Sequence, residues 1–400
     1  MTTSCFVKSL NLTDHITVKA MAQRGMNNIL LIHNGGEGGV RGTEICVIQS
    51  IKALHAAGYR ITFARTLPVI DDLIRKNVIE IVDLRIPELL INGRRTKLPI
   101  AAYAKSSHTL VRLIKKLHPR LIYLSGGLPC QLAVPLGRIF DIPSLCHFHH
   151  PANRRYYYCW LVPFADKHIF PSKYTQMDAR TKANVAGDVV YNGIDTSRFY
   201  PIERDDRWRT NLSIAPDAIV IGQVGQLTET KRPLFLLEAF AEAVRQRPNL
   251  HLCLVGRGRL EEALRNEVLQ RGLLPKVTIT GYVEETLPYY QHVFDVNALV
   301  SSEEGLGISI LEGSACALPA LISDCTGLSE TTIPNVTGVS FAPADNATLI
   351  ELMIHLADDG NFRRSAGVAG RKLVEAKFSL ESYEEGVIAA VQQAIAGVNR

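Results

Sequence analysis

Four hundred residues, 46% of them hydrophobic and with a mean hydropathy of +0.06, are enough for two ordinary cores and exclude a disordered chain. No run of about 18 uninterrupted apolar residues occurs, and residues 1–25 lack the basic-then-apolar build of a signal peptide, so neither a spanning helix nor secretion is expected and the cytoplasm is the expected compartment. The net charge of +5 hides an asymmetry, because residues 1–200 carry +13 and residues 201–400 carry −8; a basic half suits nucleic acid, anionic lipid or a phosphorylated substrate, and its sign alone does not choose.

In chain order, residues 1–25 read as an extension ahead of Met26. Asn28–His33 is a short apolar run that breaks into Asn34-Gly35-Gly36-Glu37-Gly38-Gly39, and a helical pattern follows from Thr43 to Ala57. Strands are predicted at Tyr59–Phe63, Ile79–Val82, Leu121–Leu124 and Ser144–Phe148, with a helix at Tyr103–Leu117. A second series begins after Asp195, with strands at Ile219–Gly225, Leu250–Val255, Lys276–Thr280, Val296–Val300 and Ala320–Ile322. Helices are predicted at Pro233–Gln246, Leu260–Arg271, Ile308–Ala317 and Leu380–Ala396. Strands alternating with helices argue for an α/β protein with doubly wound parallel sheets. The expected domains are 26–196 and 197–378, each Rossmann-like, followed by a helical segment 379–400 that packs back towards the first. The eight cysteines include no C-x-x-C pair and read as reduced, mostly core thiols.

A glycine cluster between a strand and a helix lets backbone N–H groups approach an anion at the positive end of the helix dipole. Gly35–Gly42 and Gly256-Arg257-Gly258 both qualify, but neither completes G-x-G-x-x-G, and no G-x-x-x-x-G-K-[ST] occurs, which argues against nicotinamide enzymes and P-loop ATPases. The most informative segment is Ser301–Glu312. Gly305 and Gly307 free its backbone, while Ile308, Leu311 and Ala315 are spaced to pack a helix inward. Glu304 is placed in the loop and Glu312 about one turn up the helix, so both carboxylates can reach one ligand across the helix start. Carboxylates accept from sugar hydroxyls and exposed amides attract phosphate, a pairing that suits a nucleotide sugar.

Glu304-Gly305-Leu306-Gly307 through Glu312, followed by Ala315-Cys316-Ala317-Leu318-Pro319, resembles the Glu-x7-Glu region of retaining glycosyltransferase family 4. Val190–Phe199 is similar to that family's interdomain segment, and Phe170-Pro171-Ser172, Val224-Gly225-Gln226-Leu227 with Lys231, Leu254-Val255-Gly256 and Thr280-Gly281-Tyr282 follow in the family's order. Agreement of this many short matches in register is what makes the resemblance specific. It implies the GT-B fold, two Rossmann-like domains facing a cleft, and transfer of a hexosyl unit with retention. It further implies that Glu312 binds the ribose and Glu304 lies against the donor sugar. Lys231 would pair with the diphosphate, Tyr282 and Val283 would lie near the base, and Gly305, Leu306, Gly307, Ile308 and Ser309 near the sugar and phosphates. In the first domain, Gly38 and Gly39 match the loop facing the donor phosphate, and His149 matches the cleft histidine. The chain departs from the family at Gln226, where arginine is common; Arg232 or Arg257 is the candidate replacement for the missing charge.

His147, His149 and His150 invite a metal reading, but no carboxylate or cysteine stands at ligand spacing and no Asp-x-Asp occurs, so no metal and no cofactor are expected. The donor would be a UDP- or GDP-linked sugar. Arg154-Arg155 leads into Tyr156-Tyr157-Tyr158-Cys159-Trp160, and basic groups gather at Arg94, Arg95, Lys97, Arg112, Lys115 and Lys116. That composition suits an anionic membrane surface, with Arg154, Arg155 and Trp160 on the membrane or acceptor side, although a core aromatic patch would read the same way. The expected protein is a peripheral one on the cytoplasmic membrane face, glycosylating a lipid-linked or lipopolysaccharide-type glycan and binding no nucleic acid. A sugar-nucleotide epimerase and a nucleotide-sugar-binding protein without transferase activity are the alternatives.

Overall fold

The computed structural model describes residues 27–35, 40, 42–89 and 99–397 in full, with the backbone of 90, 91, 94 and 95. The extension 1–25, the loop glycines Gly38 and Gly39, and Lys97 lie outside the described residues, and the side chains of Arg94 and Arg95 are not described. The chain divides into two compact units. One holds the chain up to Phe170, then Gln176–Val190 and the chain from Glu384 onward; the other holds Pro171–Thr175 and Tyr191–Tyr383. The sequence-based cuts at 196/197 and 378/379 therefore sit a few residues beyond and before the crossings seen here.

The first unit is built on β1 (Asn28–His33), β2 (Arg60–Arg65), β3 (Glu80–Asp83), a small hairpin of β4 (Leu90–Ile91) and β5 (Arg94–Arg95), β6 (Leu121–Ser125), β7 (Ser144–His147), β8 (Lys167–Phe170) and β9 (Asp188–Val189). Apart from the hairpin these form one seven-stranded sheet in the order β3-β2-β1-β6-β7-β8-β9, every pairing parallel. Because helices cover both faces of such a sheet, its central strands are continuous apolar runs rather than alternating, as Ile29–Ile32 and Leu121–Leu124 are, with polar residues only at their ends. The helix Ile100–Leu117 buries Leu110, Leu113, Ile114 and Leu117 and leaves Arg112, Lys115 and Lys116 exposed. Its basic face is thus the outer side of an ordinary amphipathic helix.

The second unit contains β10 (Ile219–Val224), β11 (Leu250–Val255), β12 (Val277–Ile279), β13 (Val296–Leu299), β14 (Ala320–Ser323) and β15 (Gly338–Phe341). They form a six-stranded sheet ordered β12-β11-β10-β13-β14-β15, again wholly parallel. One face carries the core of Leu236, Phe240, Leu264, Leu349 and Met353; the other carries Tyr290, Phe294, Leu311, Val374 and Phe378. Gly222 in β10 is required by this packing, because a Cβ there would stand 2.2 Å from the Phe294 ring. Every strand and helix expected from the sequence is present within two or three residues at its ends. The structure adds β8, β9, β15 and the helices Cys130–Ile139, Lys173–Ala183, Asn346–Asp358 and Gly360–Lys377. Among the described residues no helix is long and apolar enough to cross a membrane.

Candidate active site

In a doubly wound sheet, ligands bind beyond the carboxyl ends of the strands where the strand order reverses. In the second unit that reversal lies between β10 and β13, which are neighbours in register at Gly222 and Asn297. β10 runs into Gly225-Gln226 and β13 into Ser301–Gly307, so the two segments singled out in the sequence leave adjacent strands. The backbone joins them where Ser302 N–H donates to the Thr230 carbonyl at 2.8 Å. Lys231 Nζ donates to Glu304 Oε1, and Ser301 Oγ donates to the same oxygen at 2.6 Å. Glu304 is buried, 7% exposed, and its backbone is held on both sides by Thr326: its N–H donates to the Thr326 hydroxyl at 2.7 Å, and that hydroxyl donates to its carbonyl at 2.9 Å. A buried carboxylate needs this compensation, because leaving it unpaired costs several kcal/mol.

The helix Ile308–Ala315 follows directly. Gly307 precedes it with a left-handed φ of +97°, and a Cβ there would approach Leu328 to 2.6 Å. The helix is drawn onto β13 by Asn297, whose Nδ2 donates to the Ser309 carbonyl at 2.7 Å, and Gly313 makes room for that amide, since a Cβ would lie 2.1 Å from it. Gly305, Leu306 and Gly307 are buried, and Ile308 and Ser309 are half-buried. Glu312 is half-buried in the second turn, and its Oε2 accepts from Tyr290 Oη at 2.9 Å. Burial pushes the Glu312 carboxyl up to about 7, against the lowering pull of the Tyr290 hydrogen bond and of Arg198. The two carboxylates of Glu-x7-Glu are thus held by different partners, Glu304 by Lys231 and Ser301, Glu312 by Tyr290.

Around this centre, Gln226 is exposed, Val283 is half-buried and Tyr282 is 59% exposed with the Arg257 guanidinium 5.1 Å above its ring. Arg232 is turned elsewhere. It donates from Nη1 to the Pro343 carbonyl and lies 3.9 Å over the Phe235 ring, so of the two arginines expected to replace the charge missing at Gln226, Arg257 is the one left on an exposed loop. Sequence reasoning missed Ser301, Thr326 and Tyr290. Ser301 adjoins the motif, whereas Tyr290 comes from a π-helical turn, Tyr289–Val293, that carries no signal in the sequence.

The first unit brings a second polar group together at its own strand-order reversal, between β1 and β6. His33, Ser125 and His147 end β1, β6 and β7 side by side in register, and His149 follows two residues later. Ser125 Oγ lies 3.1 Å from His33 Nδ1 and 2.9 Å from His149 Nε2; Glu44 Oε1 lies 3.7 Å from His33 Nε2. Tyr123 Oη bonds His147 Nδ1 at 2.6 Å and meets Ser50 Oγ at 3.2 Å. All are buried, and burial holds the imidazoles of His147, at about 3, and of His149 well below the ordinary histidine range. Among the described residues no group of three metal-binding side chains converges.

The aromatic run after Arg154-Arg155 divides. Arg154, Arg155 and Tyr158 are exposed, with the Arg154 guanidinium 5.8 Å from the Tyr158 ring. Tyr157 is fully buried, and Trp160, expected on the membrane side, is half-buried against the core with its ring 4.4 Å from Tyr156. Tyr157 is in the core because the helix Arg154–Cys159 turns one face inward, and Trp160, just past that helix, packs against the same core.

The two units match two family models in turn: Glycosyltransferase Family 4 over residues 40–198 and Glycosyl transferases group 1 over residues 204–373. The chain belongs to this family of GT-B glycosyltransferases, and its two Rossmann-like units are those of the GT-B fold. It is 32% identical over 207 residues to a GDP-mannose-dependent monoacylated alpha-(1-6)-phosphatidylinositol monomannoside mannosyltransferase of Corynebacterium glutamicum, covering 48% of this chain and 52% of that one. It is 26% identical over 199 residues to the capsular polysaccharide biosynthesis glycosyltransferase CapM of Staphylococcus aureus, covering 50% and 52%. The chain spans about half the length of the curated relatives it matches. Among solved structures, Anabaena HepE in complex with UDP-glucose superposes with a TM-score of 0.78 at 18% identity, covering 92% of this chain and 99% of that one.

Proposed function

We propose that this protein transfers a hexosyl unit from a UDP- or GDP-linked sugar to a hydroxyl of a glycan or lipid-linked acceptor, with retention of configuration and without a metal. The observation that carries the reading is the Lys231–Glu304 contact beside Ser301, ahead of the helix Ile308–Ala315. It sets one cation and one carboxylate, both partly desolvated, beside the start of a helix. In the transfer, the bond from the anomeric carbon to the diphosphate oxygen breaks and a bond to the acceptor oxygen forms. The departing diphosphate gains negative charge, and its leaving oxygen takes up the proton that the acceptor hydroxyl gives up. Lys231 is the group suited to that developing charge, and preorganised cations and helix amides stabilise it without reorganisation. Glu304 is suited to the donor sugar, and Glu312 to the ribose hydroxyls. Tyr282 with Arg257 offers a stacking face for the base.

The basic outer face of the first unit, with exposed Arg154, Arg155 and Tyr158, supports peripheral attachment to an anionic cytoplasmic membrane surface, where a lipid-linked acceptor is met. The relatives named for a phosphatidylinositol mannoside and a capsular polysaccharide agree with such acceptors.

The test is a panel of nucleotide sugars scored by thermal shift and then by transfer. A donor at 100 times its Kd stabilises the fold by about 2.7 kcal/mol. Lys231→Ala should cut kcat/KM for that donor by about 10- to 100-fold through the loss of charge-assisted hydrogen bonds. A fold that no nucleotide sugar stabilises, or a Lys231→Ala variant with wild-type kinetics, would overturn the assignment; a new epimer formed from donor alone would point to the epimerase.

A further inference from the structure

The polar cluster of the first unit has a direction. The His149 imidazole is neutral, because burial depresses its protonation and His147, His150 and His33 add to the effect; a neutral ring has one donor and one acceptor nitrogen. Its Nε2 faces Ser125 Oγ at 2.9 Å, while Nδ1 is buried with no hydrogen-bond partner among the described residues. Which nitrogen carries the proton therefore depends on whether Ser125 accepts or donates. Ser125 is shared with His33 Nδ1 at 3.1 Å, and the far edge of that ring, Nε2, faces Glu44 Oε1 at 3.7 Å. That contact is longer than a hydrogen bond, and His33 Nε2 has no hydrogen-bond partner among the described residues, but a carboxylate accepts only and its charge draws a ring proton to the nearer nitrogen. With a single proton on that ring, His33 Nδ1 is an acceptor, the Ser125 hydroxyl donates to it, and the Ser125 oxygen accepts from His149 Nε2–H.

We propose that Glu44, His33 and Ser125 are positioning residues that hold His149 in the Nε2–H tautomer, so that its buried Nδ1 presents a lone pair to a hydroxyl of a substrate bound at the strand-order reversal of the first unit. The substrate hydroxyl rests on the glycosyltransferase reading; the tautomer does not. The strand register makes the arrangement possible, because His33 and Ser125 are paired residues at the ends of β1 and β6, and Ser125 pairs in turn with His147 on β7. Glu44 reaches the cluster from the first turn of the helix Gly42–Ala56. None of the three needs to touch a ligand to act, which distinguishes them from His149.

The tautomer can be read by long-range proton–nitrogen NMR of the histidine rings in the full-length protein at pH 8, without ligand. The wild type should show His149 protonated on Nε2 and bare on Nδ1. Glu44→Gln introduces an amide that can donate to His33 Nε2 and turn the chain around, so the Nδ1–H form of His149 should gain population; Ser125→Ala cuts the chain and should give a mixture. His149 found with its proton on Nδ1 in the wild type, or unmoved in both variants, would overturn the proposal. Folding of each variant is checked by its backbone amide spectrum, and the wild-type measurement decides the point even if a variant fails to fold. With a donor identified by the panel, Glu44→Gln should lower kcat/KM by about 10-fold in a protein with His149. It should lower it little further when added to His149→Ala, because a residue acting through another is non-additive with it. Full additivity would overturn the positioning role. If no nucleotide sugar is turned over, the transferase reading fails while the tautomer result stands on its own.

Discussion

Nucleotide-sugar binding should switch on with pH through Glu312. Its carboxyl is pushed up to about 7, chiefly by burial, and only the ionised form accepts hydrogen bonds on both oxygens. From the Henderson–Hasselbalch relation, about one-tenth is ionised at pH 6 and about nine-tenths at pH 8, so affinity that depends on the carboxylate should rise about tenfold across that window. Both phosphates of a nucleotide sugar are esterified and do not titrate there, which leaves the protein as the source of the change. Stability runs the other way. A carboxyl whose folded value lies above its unfolded value of 4.5 contributes most below pH 4.5, and that contribution is lost as pH rises through about 7, by up to about 3 kcal/mol. Glu312→Gln should therefore abolish the pH dependence of binding and raise the melting temperature at pH 8 but hardly at pH 4.5. Tyr290→Phe removes the hydroxyl that lowers the carboxyl, 2.9 Å away, and should move the binding midpoint to higher pH. Isothermal titration at pH 6, 7 and 8 with one nucleotide sugar reads all three proteins. A wild-type affinity flat over the window, or a pH rise that survives in Glu312→Gln, would refute the reasoning.

Gly313→Ala should destabilise the second unit by about 1–3 kcal/mol, because the new methyl collides with the Asn297 amide; denaturant melts check this, and an unchanged midpoint would show that the helix Ile308–Ala315 can slide. Transfer should survive EDTA if Lys231, whose Nζ donates to Glu304 in this structure, carries the charge of the leaving diphosphate, and activity lost to the chelator and restored by manganese or magnesium would reveal a metal. Liposomes containing anionic lipid should sediment the protein at low salt and less at high salt, with Arg154→Glu plus Arg155→Glu reducing the pelleted fraction. Trp160→Ala should change sedimentation little, since that ring packs on the core; equal partition onto neutral and anionic vesicles would remove the electrostatic claim.

The sequence by itself determined the longer strands of both sheets and the placement of one motif. Parallel strands buried on both faces are predominantly apolar, so β1, β6, β10 and β11 stand out wherever they fall in the chain, although Gln223 and His251 interrupt the last two. Glu304, Glu312 and the glycines between them lie within one segment whose spacing is local, so their placement on a loop and the helix after it was legible too. The short strands β8, β9 and β15 escaped because two to four residues carry too little period to separate from a loop. Tertiary structure alone decided who meets whom. Lys231 finds Glu304 across 73 positions, Tyr290 finds Glu312 from a π-turn, and His33 meets Ser125 across 92. Each pairing depends on the order in which strands lie side by side, a consequence of packing between distant segments. The aromatic run 156–160 shows the same limit, since its composition suits a membrane surface or a core equally, and only the direction of one helix face separated exposed Tyr158 from buried Tyr157.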